Sequence, residues 1–188
     1  MNLILTIPGT AISYKEGNEN NVYGLIEPVF KATGGLTLAQ VREITGLETT
    51  TIQNWVKRGW VMKPENKRYK ERHVIRIILI NSIRGSIQIE KIIRLMEYIN
   101  GDVEDTSDDL VPDSTLFNLF FKTVWLCQRD NLNSEEEMLR AIENETQGID
   151  YLNSDEKKRL SKALLIMTLA YQSAVIRQKA ERIINNLL

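Results

Sequence analysis

Residues 36–60 read LTLAQVREITGLETTTIQNWVKRGW, and residues 61–69 continue VMKPENKRY. The apolar positions recur at helical spacing up to Ile44, Gly46 marks a tight turn, and the spacing resumes through the second helix to about Arg58. Gly46 supplies a position that takes positive φ without steric cost, which two short helices crossing steeply require. The pattern predicts helix, turn, helix and a short basic hairpin, the layout of a winged helix-turn-helix.

The face of each helix follows from the same spacing. Val41, Ile44, Leu47, Ile52, Trp55 and Val56 can close a small shared core. Thr50, Gln53, Asn54 and Lys57 then fall on the opposite face, with Glu48 and Thr49 at the helix start. Short hydroxyl and amide side chains are the types that pair with base edges, so Thr49, Thr50, Gln53, Asn54 and Lys57 are the expected base contacts. Gly59 stops the helix, and residues 60–62 and 68–69 are expected to form two short strands around a turn at Pro64, Glu65 and Asn66. Arg58, Lys63, Lys67, Arg68, Lys70 and Arg72 lie on or beside this wing and are the expected phosphate contacts.

Charge is distributed to match. The 188 residues carry a net charge of −1, but residues 31–100 hold 13 Lys/Arg against 6 Asp/Glu, whereas residues 101–188 hold 10 against 16. The segment with the reader is basic and its partner segment acidic. A hydrophobic content of 43% excludes disorder across the whole chain. The single cysteine, Cys127, and single histidine, His73, leave no disulfide framework and no clustered zinc site within one chain. Cys127 sits in an apolar run, which reads as a packed thiol. With no phosphate-binding glycine loop and no nucleophile motif, the chain is not expected to be an enzyme, and no cofactor is expected. No apolar run is long enough to span a membrane and no leader is evident at residues 1–8, so the expected compartment is the cytoplasm.

The rest of the chain reads as mainly all-α. Residues 1–35 form an N-terminal arm, with a short strand near 3–7, and a helix over 22–33 that ends at Gly34 and Gly35. Residues 36–100 hold the DNA-binding unit, closed by helices at 71–83 and 89–99. The first of these is apolar on most faces and therefore central. Residues 101–113 carry six acidic side chains and read as an acidic linker. They lack the alternate ligands and glycine of a calcium loop. Residues 114–188 form a helical dimerisation or regulatory unit, with Ser114 as N-cap of a helix over 116–128 and a capping box at Ser134 and Glu137.

Residues 155–188 contain neither Gly nor Pro. One apolar stripe there runs through Leu160, Ala163, Leu164, Met167, Ala170, Tyr171 and Ala174, and a second through Leu165, Leu169, Ile176, Ala180, Ile183 and Leu187. Two stripes exceed what a short bundle needs, so one is expected to serve as a homodimer seam. The aromatics Phe117, Phe120, Phe121, Trp125 and Tyr171 read as core. A small-molecule effector pocket among them is the alternative.

The reader resembles that of MerR-type regulators. The resemblance rests on Val41 with Ile44-Thr45-Gly46-Leu47, Thr51-Ile52, Gly59-Trp60-Val61, Pro64 and Arg68-Tyr69. It continues through Val74, Arg76 and Ile77 and through Ile89, Glu90 and Ile92. It implies the fold of residues 36–99 and double-stranded DNA as partner. Arg42 stands where those regulators carry a small alanine, Asn54 where an aromatic is common, and the wing is shorter. Residues 34–38, 52–61 and 98–101, with Asp108 and Asp109, also resemble a bacterial family catalogued as a domain of unknown function, over most of the chain. The expectation is a sequence-specific transcriptional regulator acting as a homodimer through its C-terminal helices. The rival is a non-catalytic protein-interaction module that keeps the helix-turn-helix shape, with Trp55 and Trp60 as anchors.

Overall fold

The computed structural model describes residues 4–15, 17 and 20–187. The first residue of the expected N-terminal strand lies outside them. Two short strands, β1 (Ile4–Thr6) and β2 (Ser13–Lys15), pair antiparallel, with Leu5 opposite Tyr14. Eight helices follow among the described residues: α1 (Tyr23–Thr33), α2 (Leu38–Thr45), α3 (Thr49–Lys57), α4 (Glu71–Ile83), α5 (Ile89–Asn100), α6 (Asp113–Arg129), α7 (Glu135–Gln147) and α8 (Ser154–Leu187). The protein is mainly helical, and no helix among the described residues is long and apolar enough to cross a membrane.

α4 is the axis of the molecule. Its residues Val74, Ile75, Ile77, Ile78, Leu79, Ile80 and Ile83 are all buried, because α2, α5, α6 and α8 all pack on it. An apolar sequence on every face is stable in water only when surrounded in this way. One contiguous core therefore runs from Ile7 and Val41 through α4 to Phe117, Phe120, Phe121 and Leu164. The aromatics of α6 fill that core rather than a cavity.

In the acidic stretch 101–113, Asp102 and residues 104–108 are exposed, and the far end is anchored. Leu110, Val111 and Asp113 are buried, and Asn100 Nδ2 donates to Val111 O at 2.8 Å. Two apolar residues and a buried asparagine hold that end against the core. α6 starts at Asp113, one residue before the expected Ser114 cap, because the Asp113 carboxylate is held by Arg72 at 3.1 Å. The Ser134 and Glu137 capping box forms as its spacing requires.

α8 is unbroken over 34 residues, about 51 Å at 1.5 Å per residue. Its first stripe is in the core, where Leu160, Ala163, Leu164, Met167, Ala170 and Ala174 are buried. Leu165, assigned to the second stripe, is buried with them. From Ile176 to Leu187 every residue is exposed.

Candidate nucleic-acid interface

α2 and α3 are local solutions to their own sequence. Thr37 caps α2: its Oγ1 accepts from Gln40 N–H at 3.3 Å while Gln40 Oε1 accepts from Thr37 N–H at 2.9 Å. The Thr37 and Gln40 spacing was a readable signal that the sequence reading passed over. α2 ends on Gly46 at φ +66°, whose N–H donates to Arg42 O. Beneath the turn, Val41, Leu47, Ile52 and Trp55 are buried, with Ile44 and Val56 half-buried at the rim. Arg42 extends outward to within 3.9 Å of Glu48, so it does not separate the helices.

This core fixes which side of α3 faces water. Thr50, Gln53, Asn54 and Lys57 are exposed, and Thr49 is half-buried at the helix start. Gln53 and Lys57 also border a shallow apolar groove formed by Leu38, Ala39, Val56, Pro64 and Tyr69, with Lys67 at its edge. The groove joins the start of α2, the flank of α3 and the hairpin. Sequence periodicity could not show it, because it is made by three separate segments.

The hairpin differs from a two-stranded wing. Residues 60–62 form no strand, since Trp60 and Val61 N–H both turn back to Trp55 O at the end of α3. The turn is centred on Asn66 (φ +48°) and Lys67 (φ +62°), and Glu65 and Arg68 exchange both backbone hydrogen bonds around it at 3.0 and 2.8 Å. Positive φ at both central residues is the hairpin-type turn that matches strand twist, and asparagine favours it. A second bridge joins Tyr69 to Leu36, at 2.7 and 2.8 Å, tying the hairpin to the residue before α2.

Two buried polar residues hold this loop from below. His73 Nδ1 accepts from Lys70 N–H at 3.1 Å and its Nε2–H donates to Lys63 O at 2.8 Å, so the ring spans both ends of the hairpin. Arg76 Nε donates to Trp60 O at 2.7 Å; burial pulls its guanidinium below the ordinary range, opposed by Asp113 and Glu97. His73 and Arg76 are thus structural pins.

The expected phosphate contacts divide into two groups. Lys57, Lys63 and Lys67 are exposed and carry no ion pair among the described residues. Arg58 is exposed and stacks over the Trp60 ring at 4.9 Å. In contrast, Arg68 NH1 donates to Gly35 O at 3.1 Å and Lys70 Nζ to Gly34 O at 2.9 Å, closing the loop after α1. Arg72 is turned away entirely, onto Asp113 at 3.1 Å and Asp109 at 3.5 Å. It is corrected from a phosphate contact to a tether of the acidic segment. Trp55 lies in the core and Trp60 is half-buried under Arg58, so neither is a free anchor for a partner protein.

Cys127 is buried, which pushes its thiol up to about 11, out of the nucleophilic range.

Residues 21–120 match a family model described as "Domain of unknown function (DUF1836)". That span runs from α1 through α5, with the hairpin and the acidic segment, into α6. A protein of Bacillus subtilis (strain 168), named "Uncharacterized protein YkrK", is 23% identical over 194 residues, covering 98% of this chain and 81% of that protein. No solved structure matches.

Proposed function

We propose that this chain, which belongs to the DUF1836 family, is a sequence-specific DNA-binding regulator built on a MerR-like winged helix-turn-helix and acting as a homodimer. The observation that carries the reading is the exposed polar ridge of α3. Thr50, Gln53, Asn54 and Lys57 stand clear of a buried aliphatic knot. In a major groove such a ridge meets base edges, where an amide bonds adenine in bidentate fashion and a lysine reaches guanine or phosphate. Lys63 and Lys67 flank it as exposed cations for the backbone, and Arg58 adds a third. The apolar groove beside Gln53 suits the methyl of thymine.

Support for the dimer comes from α8. Ile166, Leu169, Ser173, Ile176, Ala180, Ile183 and Leu187 are spaced alternately by three and four residues, and all are exposed. That spacing is the a/d pattern on which two-stranded coiled coils close. A two-fold dimer would present two reader helices to two half-sites.

The apolar groove itself favours one other reading, a module that docks a short apolar segment of a partner protein. Selection of bound fragments from genomic DNA, followed by titration of the recovered duplex at rising salt, separates the two. A regulator selects a common sequence and loses affinity steeply with salt, with a slope near one counterion per phosphate contacted. Random fragments, or binding indifferent to salt, would remove the DNA reading.

A further inference from the structure

A cleft of about 510 Å³ lies where three parts of the chain meet: the β1–β2 turn, the C-terminal end of α4 and the middle of α8. Thr45, at the end of α2, completes its wall. The acceptors of that wall are largely taken. Asn81 Nδ2 donates to both Gly9 O and Thr45 O at 2.9 Å, and Thr10 Oγ1 donates to Ile7 O at 2.9 Å. Two close approaches set its shape. Gly9, at φ +74°, brings the turn onto α4 where a Cβ would run into Ile78 O and Ser82 Oγ, and at Gly85 a Cβ would stand 3.0 Å from the Cβ of Ala174 on α8.

What remains unused in the cleft is a set of donors. Arg84 and Arg177 line it and no carboxylate does. Arg84 engages only its Nε, on Asn81 Oδ1 at 2.8 Å, and forms no ion pair among the described residues. Burial pulls its guanidinium below the ordinary range, with no carboxylate to offset the effect. Arg177 meets Glu181 at 3.5 Å one turn along α8, but both side chains are more than half exposed, and such a pair contributes little. The Gly85 N–H and the Tyr171 hydroxyl make no hydrogen bond among the described residues. Tyr171 is half-buried with its ring edge-on to Phe120 at 6.1 Å, and burial raises its hydroxyl, so the group stays a donor at neutral pH. Unmatched cations and donors around one cavity are the complement of an anion rich in acceptors.

We propose that this cleft binds a small organic phosphate monoester, its phosphate received by Arg84, Arg177 and the Tyr171 hydroxyl and its organic part lying against Ile7, Pro8 and Val175. Two guanidinium forks suit the three terminal oxygens of a phosphate, whereas a carboxylate would fill one fork and leave the other unmatched. The volume is that of a small-molecule site and exceeds what a lone phosphate fills. A molecule seated there touches the end of α2 and the root of the exposed part of α8. The site does not depend on the DNA reading and stands or falls separately.

Calorimetric titration of the full chain with ribose 5-phosphate and with adenosine 5′-monophosphate tests it, with ribose and adenosine as controls at constant ionic strength. One saturable site with Kd of about 1 mM or tighter is expected for at least one of the two esters, and no comparable heat from either control. Arg84→Gln and Arg177→Gln should each weaken binding at least about tenfold, and Tyr171→Phe about fivefold. Lys67→Ala, on the hairpin, should bind as the wild type does, which separates the cleft from a general attraction of anions to the basic reader. If Arg84→Gln fails to fold, Arg177→Gln, on the exposed side of α8, decides alone. Absence of saturable heat with both esters, equal binding of ribose or adenosine, binding that either arginine variant retains in full, or an equal loss in Lys67→Ala would each overturn the site.

Discussion

Replacing Ile176 with glutamate separates the fold of one subunit from the association of two. In the single chain Ile176 is 67% exposed, on the part of α8 that extends beyond the core. A surface substitution of that kind shifts subunit stability by no more than about 0.5 kcal/mol. In a dimer closed along the heptad seam the same residue occupies a core position. Burying a whole isoleucine is worth about 1.5–3 kcal/mol, so covering the exposed two thirds contributes about 1–2 kcal/mol per copy. A two-fold interface counts this twice, and two carboxylates forced into an apolar seam add further cost, giving about 4 kcal/mol or more in total. The dimer Kd should rise by about a thousandfold. Sedimentation equilibrium between about 1 and 100 μM reads this directly, with Gln178→Glu, which lies off the seam, as control. The wild type should run as a dimer, Ile176→Glu as a monomer of unchanged melting temperature, and Gln178→Glu as the wild type. A wild-type monomer across that range, or an Ile176→Glu chain that dimerises as well as its parent, would refute the reasoning.

Gln53→Ala should cost about 1–3 kcal/mol at the selected duplex and relax the base preference at one position, read by gel shift against permuted sites. Lys67→Ala should weaken all duplexes alike and lower the salt slope by about one, whereas Arg72→Ala, whose side chain faces Asp113, should leave that slope unchanged. Gly9→Ala should destabilise the fold by about 2–4 kcal/mol in urea unfolding, since Gly9 sits at φ +74° and a Cβ there would run into Ile78 O and Ser82 Oγ. The Asp109 carboxyl titrates near 6 in the fold against 3.8 when free, so the native state holds its proton more tightly than the unfolded chain. Its favourable contribution is present below pH 3.8 and lost as the pH rises through 6. Asp109→Asn should therefore raise stability by about 1–2 kcal/mol at pH 7.5, discounted for solvent screening, and by nothing near pH 3.5.

The helices were legible where one physical signal dominated. The wholly apolar run of α4 could only be central, Gly46 could only be a turn, and Ser134 with Glu137 could only cap α7. The polar face of α3 was legible for the same reason, because a 3.6-residue period fixes which side chains oppose Ile52 and Trp55. The hairpin was not, because its form depends on where the Trp60 and Val61 amides find acceptors, and Trp55 O supplies one from the preceding helix. In the acidic segment the charge density was legible, but the burial of Leu110 and Val111 at its far end was not. Arg72 was misassigned because a cation next to a basic loop looks like a phosphate contact until Asp113 is placed against it, 41 residues later in the chain.

By itself the sequence determined the local structure: where helices start and stop, which stripe of each is apolar, and where charge accumulates. These follow from interactions within a few residues, whose energies depend on spacing alone. Tertiary structure decided which cations are held, since Arg68, Lys70 and Arg72 are claimed by carbonyls and carboxylates distant in sequence, whereas Lys57, Lys63 and Lys67 carry no ion pair among the described residues. It also decided which apolar stripe of α8 is left in water, and it buried Asp109 beside Arg72. A buried charge or an uncovered face is a property of what packs against it, and that is set only when the chain closes on itself.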